Sequence, residues 1–120
     1  MRKLFNSFRF AFAGFAYLLR TQRNARIHSL AALFVVGAGL YFNVARTDWA
    51  WLIAAIAWVF AAEALNTAIE ILADRVTTEL DEKIRHAKDV SAAAVLISAV
   101  GAVGVGVAIL GPYCLRLLAQ

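Results

Sequence analysis

VSAAAVLISAVGAVGVGVAILGPYCL, residues 90–115, runs for twenty-six positions without an Asp, Glu, Lys or Arg. A helix needs about 20 apolar residues to cross a hydrocarbon core of about 30 Å, so this stretch alone is long enough to span a bilayer. Upstream, Ile27 to Ala45 supplies nineteen more uncharged residues. Between the two, Trp49 to Ala62 is uncharged, and Glu63 and Glu70 then interrupt a run that stays apolar through Ala73. We read three spans, roughly 27–46, 48–73 and 90–116, which predicts an all-α membrane protein. The first starts too late, runs too long and is too poorly flanked to be a cleaved signal peptide.

Composition excludes the alternatives. The 120 residues are 62% hydrophobic and 17% charged, against about 45–50% and about 25% in an ordinary soluble domain. A soluble domain of this length buries only about two-thirds of the surface it exposes on unfolding, which cannot hide so much apolar area. Disorder fails for the same reason. One Cys rules out a disulfide framework and the usual multi-Cys zinc sites. No repeat, linker or low-complexity segment interrupts residues 1–120, which read as a single domain. Cys114 falls near the far end of the third span, where a small packing residue is the expected role.

Charge sets the topology. Six Lys/Arg precede the first span (Arg2, Lys3, Arg9, Arg20, Arg23, Arg26) and four lie in the 74–89 loop (Arg75, Lys83, Arg85, Lys88). Only Arg46 and Arg116 fall on the other side. Positive charge stays inside, so the N-terminus and the 74–89 loop are expected in the cytoplasm and the C-terminus outside. Trp49, Trp51 and Tyr113 then fall at the outer interface. The net charge of +4 is explained by topology and anionic lipid. No basic run interleaved with aromatics points to nucleic acid.

Residues of about 2–22 form a separate element. Phe5, Phe8, Phe12, Phe15 and Leu19 share one helical face, opposite Arg2, Asn6, Arg9 and Arg20. This predicts an amphipathic helix in the cytoplasmic interface, either as an anchor or as a cover over an active site. Gly101, Gly104 and Gly106, with Ser98 and Ala102, mark the third span as a close-packing helix. Three spans make a thin bundle, so an oligomer is expected.

The chemistry lies on the second span. Glu63, Asn66, Glu70 and Asp74 are spaced i, i+3, i+7 and i+11, a stripe about 80° wide and roughly 16 Å long. Each ionised carboxylate in hydrocarbon costs at least about 2.5–3.5 kcal/mol. Pairing with basic residues of the neighbouring spans would explain the stripe structurally, but those spans contain none. The functional reading is a polar cleft, open to the cytoplasm, for a cation or cationic ligand. Carboxylates here suit Mg²⁺, which takes one or two of them together with phosphate oxygens. Lys88 and Asp89 precede the third span, where free backbone N–H groups and the helix dipole favour phosphate. Taken singly, Asp89 reads as an N-cap and Lys88 as a snorkelling interfacial residue. Together with the stripe they form a nucleotide-site constellation, without a Gly-x-x-x-x-Gly-Lys loop.

Glu63-Ala-Leu-Asn66-Thr-Ala-Ile-Glu70, then Asp74, Ala87-Lys88-Asp89 and Ala92-Ala-Ala-Val-Leu96 strongly resemble the prokaryotic diacylglycerol kinase family, which includes undecaprenol kinases. The resemblance runs from about residue 5 to 110. It implies a homotrimer of three-span protomers, each with an N-terminal interfacial helix, and active sites between protomers. It implies ATP with Mg²⁺ as phosphoryl donor and a membrane lipid alcohol as acceptor, at the bacterial cytoplasmic (inner) membrane. Glu63 resembles the general base for the lipid hydroxyl and, with Asn66, the lipid-contacting pair. Glu70 matches a metal-ligand glutamate. Asn66, Asp74, Lys88, Asp89 and Arg9 fall to nucleotide and phosphates.

The resemblance departs at one position. Where the family has a second metal-ligand Glu, in a pattern like Glu-x-Asn-x-Arg-Ile-His, this chain has Gln22-Arg23-Asn24-Ala25-Arg26-Ile27-His28. Gln22 offers a carbonyl oxygen but no charge, which puts the ligand number in question. Asn24, Arg26 and His28 look more like the undecaprenol kinase branch than the diacylglycerol branch. His28 by itself reads as an interfacial histidine without chemistry. The alternative to a lipid kinase is a catalytically weak or inactive relative that binds lipid or a partner in the membrane.

Overall fold

A computed structural model describes residues 2–76, 79 and 81–119. The described residues fold into four helices: α1 (Arg2–Thr21), α2 (Arg23–Tyr41), α3 (Arg46–Val76) and α4 (Glu82–Leu118). At about 1.5 Å per residue, α3 and α4 are roughly 46 and 55 Å long. Both outlast a hydrocarbon core, so their polar ends project beyond it. Each is long and apolar enough to cross a membrane. α2 is not in that class. Its uncharged part, Ile27–Tyr41, covers only about 22 Å.

Two helix ends differ from expectation by several residues, each for a local reason. α2 stops at Tyr41 instead of running to residue 46 because Asn43 takes a left-handed conformation, φ 49°. The Asn43 N–H bonds to Leu40 O at 3.2 Å and the Val44 N–H to Gly39 O at 3.1 Å. That pair of bonds is a Schellman closure, which consumes the last free carbonyls of the helix. α4 starts at Glu82, well before residue 90. Asp81 caps it, its carboxylate accepting from the Ile84 N–H at 2.9 Å. The expected 74–89 loop is therefore a short connection between Val76 and Glu82, and its charges ride on helix. Asp89 is an interior helical residue, not an N-cap. The free backbone N–H groups expected beside Lys88 belong to the first turn of α4 instead. Between α1 and α2 the chain breaks at Gln22, which is extended (φ −98°, ψ 119°).

α3 and α4 form an antiparallel pair with by far the most extensive contact in the fold. Cross-contacts fix the register: Asp74 meets Lys88, Asn66 meets Ser91, and Leu52 meets Leu110. At the end remote from the connection, Val44, Leu52 and Leu110 are buried together, with Phe42, Trp49 and Tyr113 packed around them. The Phe42 and Tyr113 rings stack at 5.7 Å. Two of the three residues expected at the outer interface, Trp49 and Tyr113, are thus half-buried in this packing, while Trp51 is exposed.

Elsewhere the surface is apolar. Phe34, Trp58, Ile97 and Val103 are each 65% exposed or more. In water such a surface would drive aggregation. In lipid it carries no penalty, and it agrees with a membrane protein. A β-carbon built on Gly101, Gly104 or Gly106 meets nothing within 4 Å. Close packing at these residues does not occur within one chain. Cys114 is exposed as well, not packed. The glycine that is approached closely is Gly39, where a β-carbon would lie 2.8 Å from the Trp49 indole. Gly39→Val should destabilise the fold by about 1–3 kcal/mol through overpacking. In a Trp49→Ala background the same change should cost less than half as much, as measured by unfolding in detergent.

Candidate active site

The stripe on α3 is the polar seam of the α3–α4 pair. At 100° per residue its four members share one side of α3, where Asn66 and Asp74 reach α4, and burial grades along it. Glu63 is 1% exposed and Asn66 7%, Glu70 is half-buried, and the Asp74 side chain is 69% exposed. The seam therefore opens toward the α3–α4 connection, the end that carries the charged turns of both helices.

A chain of hydrogen bonds crosses it. The Ser91 hydroxyl on α4 lies 2.6 Å from Asn66 Oδ1, and Asn66 Nδ2 donates to Glu70 Oε1 at 3.1 Å. Further out, Lys88 Nζ donates to Asp74 Oδ1 at 2.9 Å. Asn66, Glu70, Asp74 and Lys88 are thus drawn together, with Ser91 as an addition that sequence reasoning missed. Its only sequence signal is its place one turn beyond Lys88 on the same helix. The expectation that no basic residue pairs with the stripe fails at Asp74, because α4 begins early enough to carry Lys88 alongside it.

Glu63 is the deepest group. Its Oε2 and the hydroxyl of Thr67, 4% exposed one turn further on, have no hydrogen-bond partner. A buried polar group without a partner costs about 1–3 kcal/mol, and a charged one more. Electrostatically Glu63 faces His28 of α2 and Glu70. His28 also lines an apolar cleft of about 440 Å³ between α2, α3 and α4, whose walls include Val59, Phe60 and Leu110. Glu63 lies one turn from Val59 on the same helical face.

The other candidates stand apart. Asp89 is exposed on α4. Arg9 is exposed on α1, its guanidinium 5.2 Å from the Phe10 ring centre. Gln22 is half-buried at the α1–α2 break and its amide donates to Thr21 Oγ1 at 3.4 Å. Among the described residues neither Arg9 nor Gln22 bonds to the stripe, and no three His, Cys, Asp or Glu side chains converge as a metal cluster. The donor set is one of separate carboxylates and not a cluster. It suits a dication delivered with phosphate, which needs only one or two carboxylates from the protein. Glu70 keeps Oε2 available for that role while Oε1 holds Asn66.

The sequence family described as prokaryotic diacylglycerol kinase matches residues 9–110 of this chain. The chain belongs to the prokaryotic diacylglycerol kinase family. Members of that family are membrane lipid kinases. A diacylglycerol kinase of Synechocystis is 39% identical over 113 residues, 93% of this chain and 65% of that protein. This chain thus spans about two-thirds of that relative's length. The undecaprenol kinase of Bacillus subtilis is 33% identical over 112 residues, 93% of this chain and 91% of its own. The Escherichia coli diacylglycerol kinase is 36% identical over 78 residues, 65% of this chain. All of the stripe, together with Lys88, Asp89 and Ser91, falls inside the segment that matches the family.

The Asp74–Lys88 pair is solvent-accessible, with side chains 69% and 38% exposed. Exposed ion pairs contribute about 0.2–1 kcal/mol. A double-mutant cycle of Asp74→Asn and Lys88→Met should accordingly give a stability coupling within about 1 kcal/mol. A coupling of about 3 kcal/mol would make the pair a structural clamp.

Proposed function

We propose that this chain transfers the γ-phosphoryl group of ATP to the hydroxyl of a membrane lipid alcohol, undecaprenol or diacylglycerol. The observation that carries the reading is Glu63, a buried carboxylate with an oxygen lacking any donor, set in an apolar helix pair one turn from an apolar cleft. Such a group lowers stability and needs a chemical reason to be there. A lipid hydroxyl supplies the missing donor. The cleft of about 440 Å³ is within the range of small-ligand sites and takes acyl or prenyl chain, leaving the hydroxyl end toward Glu63 and Asn66.

In the transfer the lipid oxygen forms the new P–O bond as the bond from the γ-phosphorus to the β-bridging oxygen breaks, and Glu63 Oε2 receives the hydroxyl proton. Such reactions depend on positioning and on neutralising phosphate charge more than on covalent chemistry. Bound Mg²⁺ supplies that neutralisation. Glu70 Oε2 would hold it, Asn66 keeps Glu70 oriented, and Gln22 is a weaker second ligand lacking charge. Lys88 sits at the open end of the seam, with Asp74 holding it until phosphate arrives. Asp89 and Arg9 are the other phosphate-side groups in this reading. Glycines 101, 104 and 106, open within one chain, are available to neighbouring copies, which supports self-association; in this reading the assembly is a homotrimer with sites between protomers. α1 lies in the cytoplasmic interface, and α2 crosses as the first of three spans. The N-terminus is inside and the C-terminus outside, in the cytoplasmic (inner) membrane.

Kinetics in mixed micelles, with labelled phosphate followed into the lipid phase, test the assignment. Glu63→Gln should abolish transfer while ATP still binds, because only the proton acceptor is lost. Glu70→Gln should raise the Mg²⁺ requirement, and Gln22→Glu should lower it. A tenfold gain from Gln22→Glu corresponds to about 1.4 kcal/mol. Near-normal rates and unchanged Mg²⁺ curves in the two glutamate variants would make the stripe structural and the kinase reading wrong.

A further inference from the structure

We propose that Ser91 is a positioning residue for the transfer site: its hydroxyl fixes the Asn66 amide so that the amide holds one Glu70 oxygen and leaves the other for the cation. The proposal rests on the reading of Glu70 given above and extends it to a residue on the other helix.

Three observations carry it. Ser91 and Asn66 are each 7% exposed, so neither can turn to water. Ser91 Oγ lies 2.6 Å from Asn66 Oδ1, and with Nδ2 committed to Glu70 the hydroxyl is the donor of this pair. Lys88 O, 2.8 Å from the same hydroxyl, is the acceptor within α4, and the contact to Asn66 is the shorter of the two. With Oδ1 held by Ser91, Nδ2 is left facing Glu70 Oε1 at 3.1 Å. Reversing the amide would set two acceptors against each other at that distance. Glu70, which only accepts, sets which way the Asn66 amide points, and Ser91 on α4 anchors the oxygen end of that amide so that its nitrogen stays on Glu70 Oε1.

A serine in this helix does not need a partner on α3. Ser98, equally buried, satisfies itself on Ala94 O at 2.8 Å within α4. Ser91 has the same option at Lys88 O, yet its single proton also has Asn66 Oδ1 within 2.6 Å across the seam. Without it, the Asn66 amide loses its reference, Glu70 can rotate, and the site loses a preset ligand geometry. Outer groups of this kind typically change metal affinity 10–100-fold when removed.

The test uses the full chain in detergent, labelled with ¹⁵N-asparagine, with the Asn66 amide signal assigned by its loss in Asn66→Asp. In metal-free protein, Ser91→Ala should speed hydrogen exchange of that amide at least tenfold, Ser91→Thr should restore protection, and Ser98→Ala should change nothing. Titration of Mn²⁺ with ADP, followed by electron paramagnetic resonance, should show about tenfold weaker Mn²⁺ binding in Ser91→Ala and recovery in Ser91→Thr. Unchanged amide exchange in Ser91→Ala overturns the proposal, as does an amide that responds while Mn²⁺ affinity stays put. Failure of the unsubstituted protein to bind Mn²⁺ with ADP would count against the metal role of Glu70 instead, and amide exchange would still decide what Ser91 does.

Discussion

Two long apolar helices packed against each other in lipid have no reason to hold carboxylates between them. Placing one there costs at least about 2.5–3.5 kcal/mol, and the rest of the architecture can be understood as the way this chain contains that penalty. The α3–α4 register brings Ser91 opposite Asn66 and Lys88 opposite Asp74, so three of the four stripe residues gain partners. The fourth, Glu63, remains with a bare oxygen at 1% exposure. The gradient of burial from Glu63 to Asp74 leaves the most costly group where substrate would meet it and the cheapest where solvent enters.

The opposite end of the pair supplies the rigidity that such a seam requires. Leu52, Val44 and Leu110 form the buried cluster, the Phe42–Tyr113 stack closes it, and Trp49 lies on Gly39 without an intervening side chain. The buried cluster at this end is apolar and depends on close fit, with Arg116 outside it over the Tyr113 ring at 5.5 Å. Polar function and apolar packing are therefore separated along the helix axis, so each can vary without dismantling the other. α2 adds the remaining wall of the cleft, and α1 packs on α3 with Phe15 edge-on to Phe60 at 5.4 Å.

Much of this is legible in the sequence because helical periodicity is a local property. The Glu63–Asn66–Glu70–Asp74 spacing places four side chains on one face whatever the helix packs against. The apolar runs likewise define α3 and α4. Boundaries are harder, since charge marks where a helix leaves lipid and not where it ends. Glu82 to Asp89 reads as loop by charge, yet Asp81 offers a cap and the residues after it are good helix formers. Similarly, the apolar run to Ala45 hides the stop at Asn43, a residue type that tolerates left-handed backbone. What one sequence cannot supply is register. Ser91 becomes part of the seam only because α4 meets α3 at that height, and Asp74 acquires Lys88 by the same accident of alignment. The glycines of α4 are a related case, since small residues announce close approach without saying whether the neighbour is in the same chain.

The central claim is that the seam is kept for chemistry at the expense of stability. The most direct measurement is the unfolding free energy and the lipid phosphorylation rate of the double variant Asn66→Leu/Glu70→Leu. Replacing buried polar partners together by hydrophobic residues is often neutral or stabilising by about 1–4 kcal/mol. The expected result is a chain at least as stable as the original, with phosphoryl transfer lost. A variant destabilised by about 3 kcal/mol, or one that still phosphorylates lipid, would contradict it.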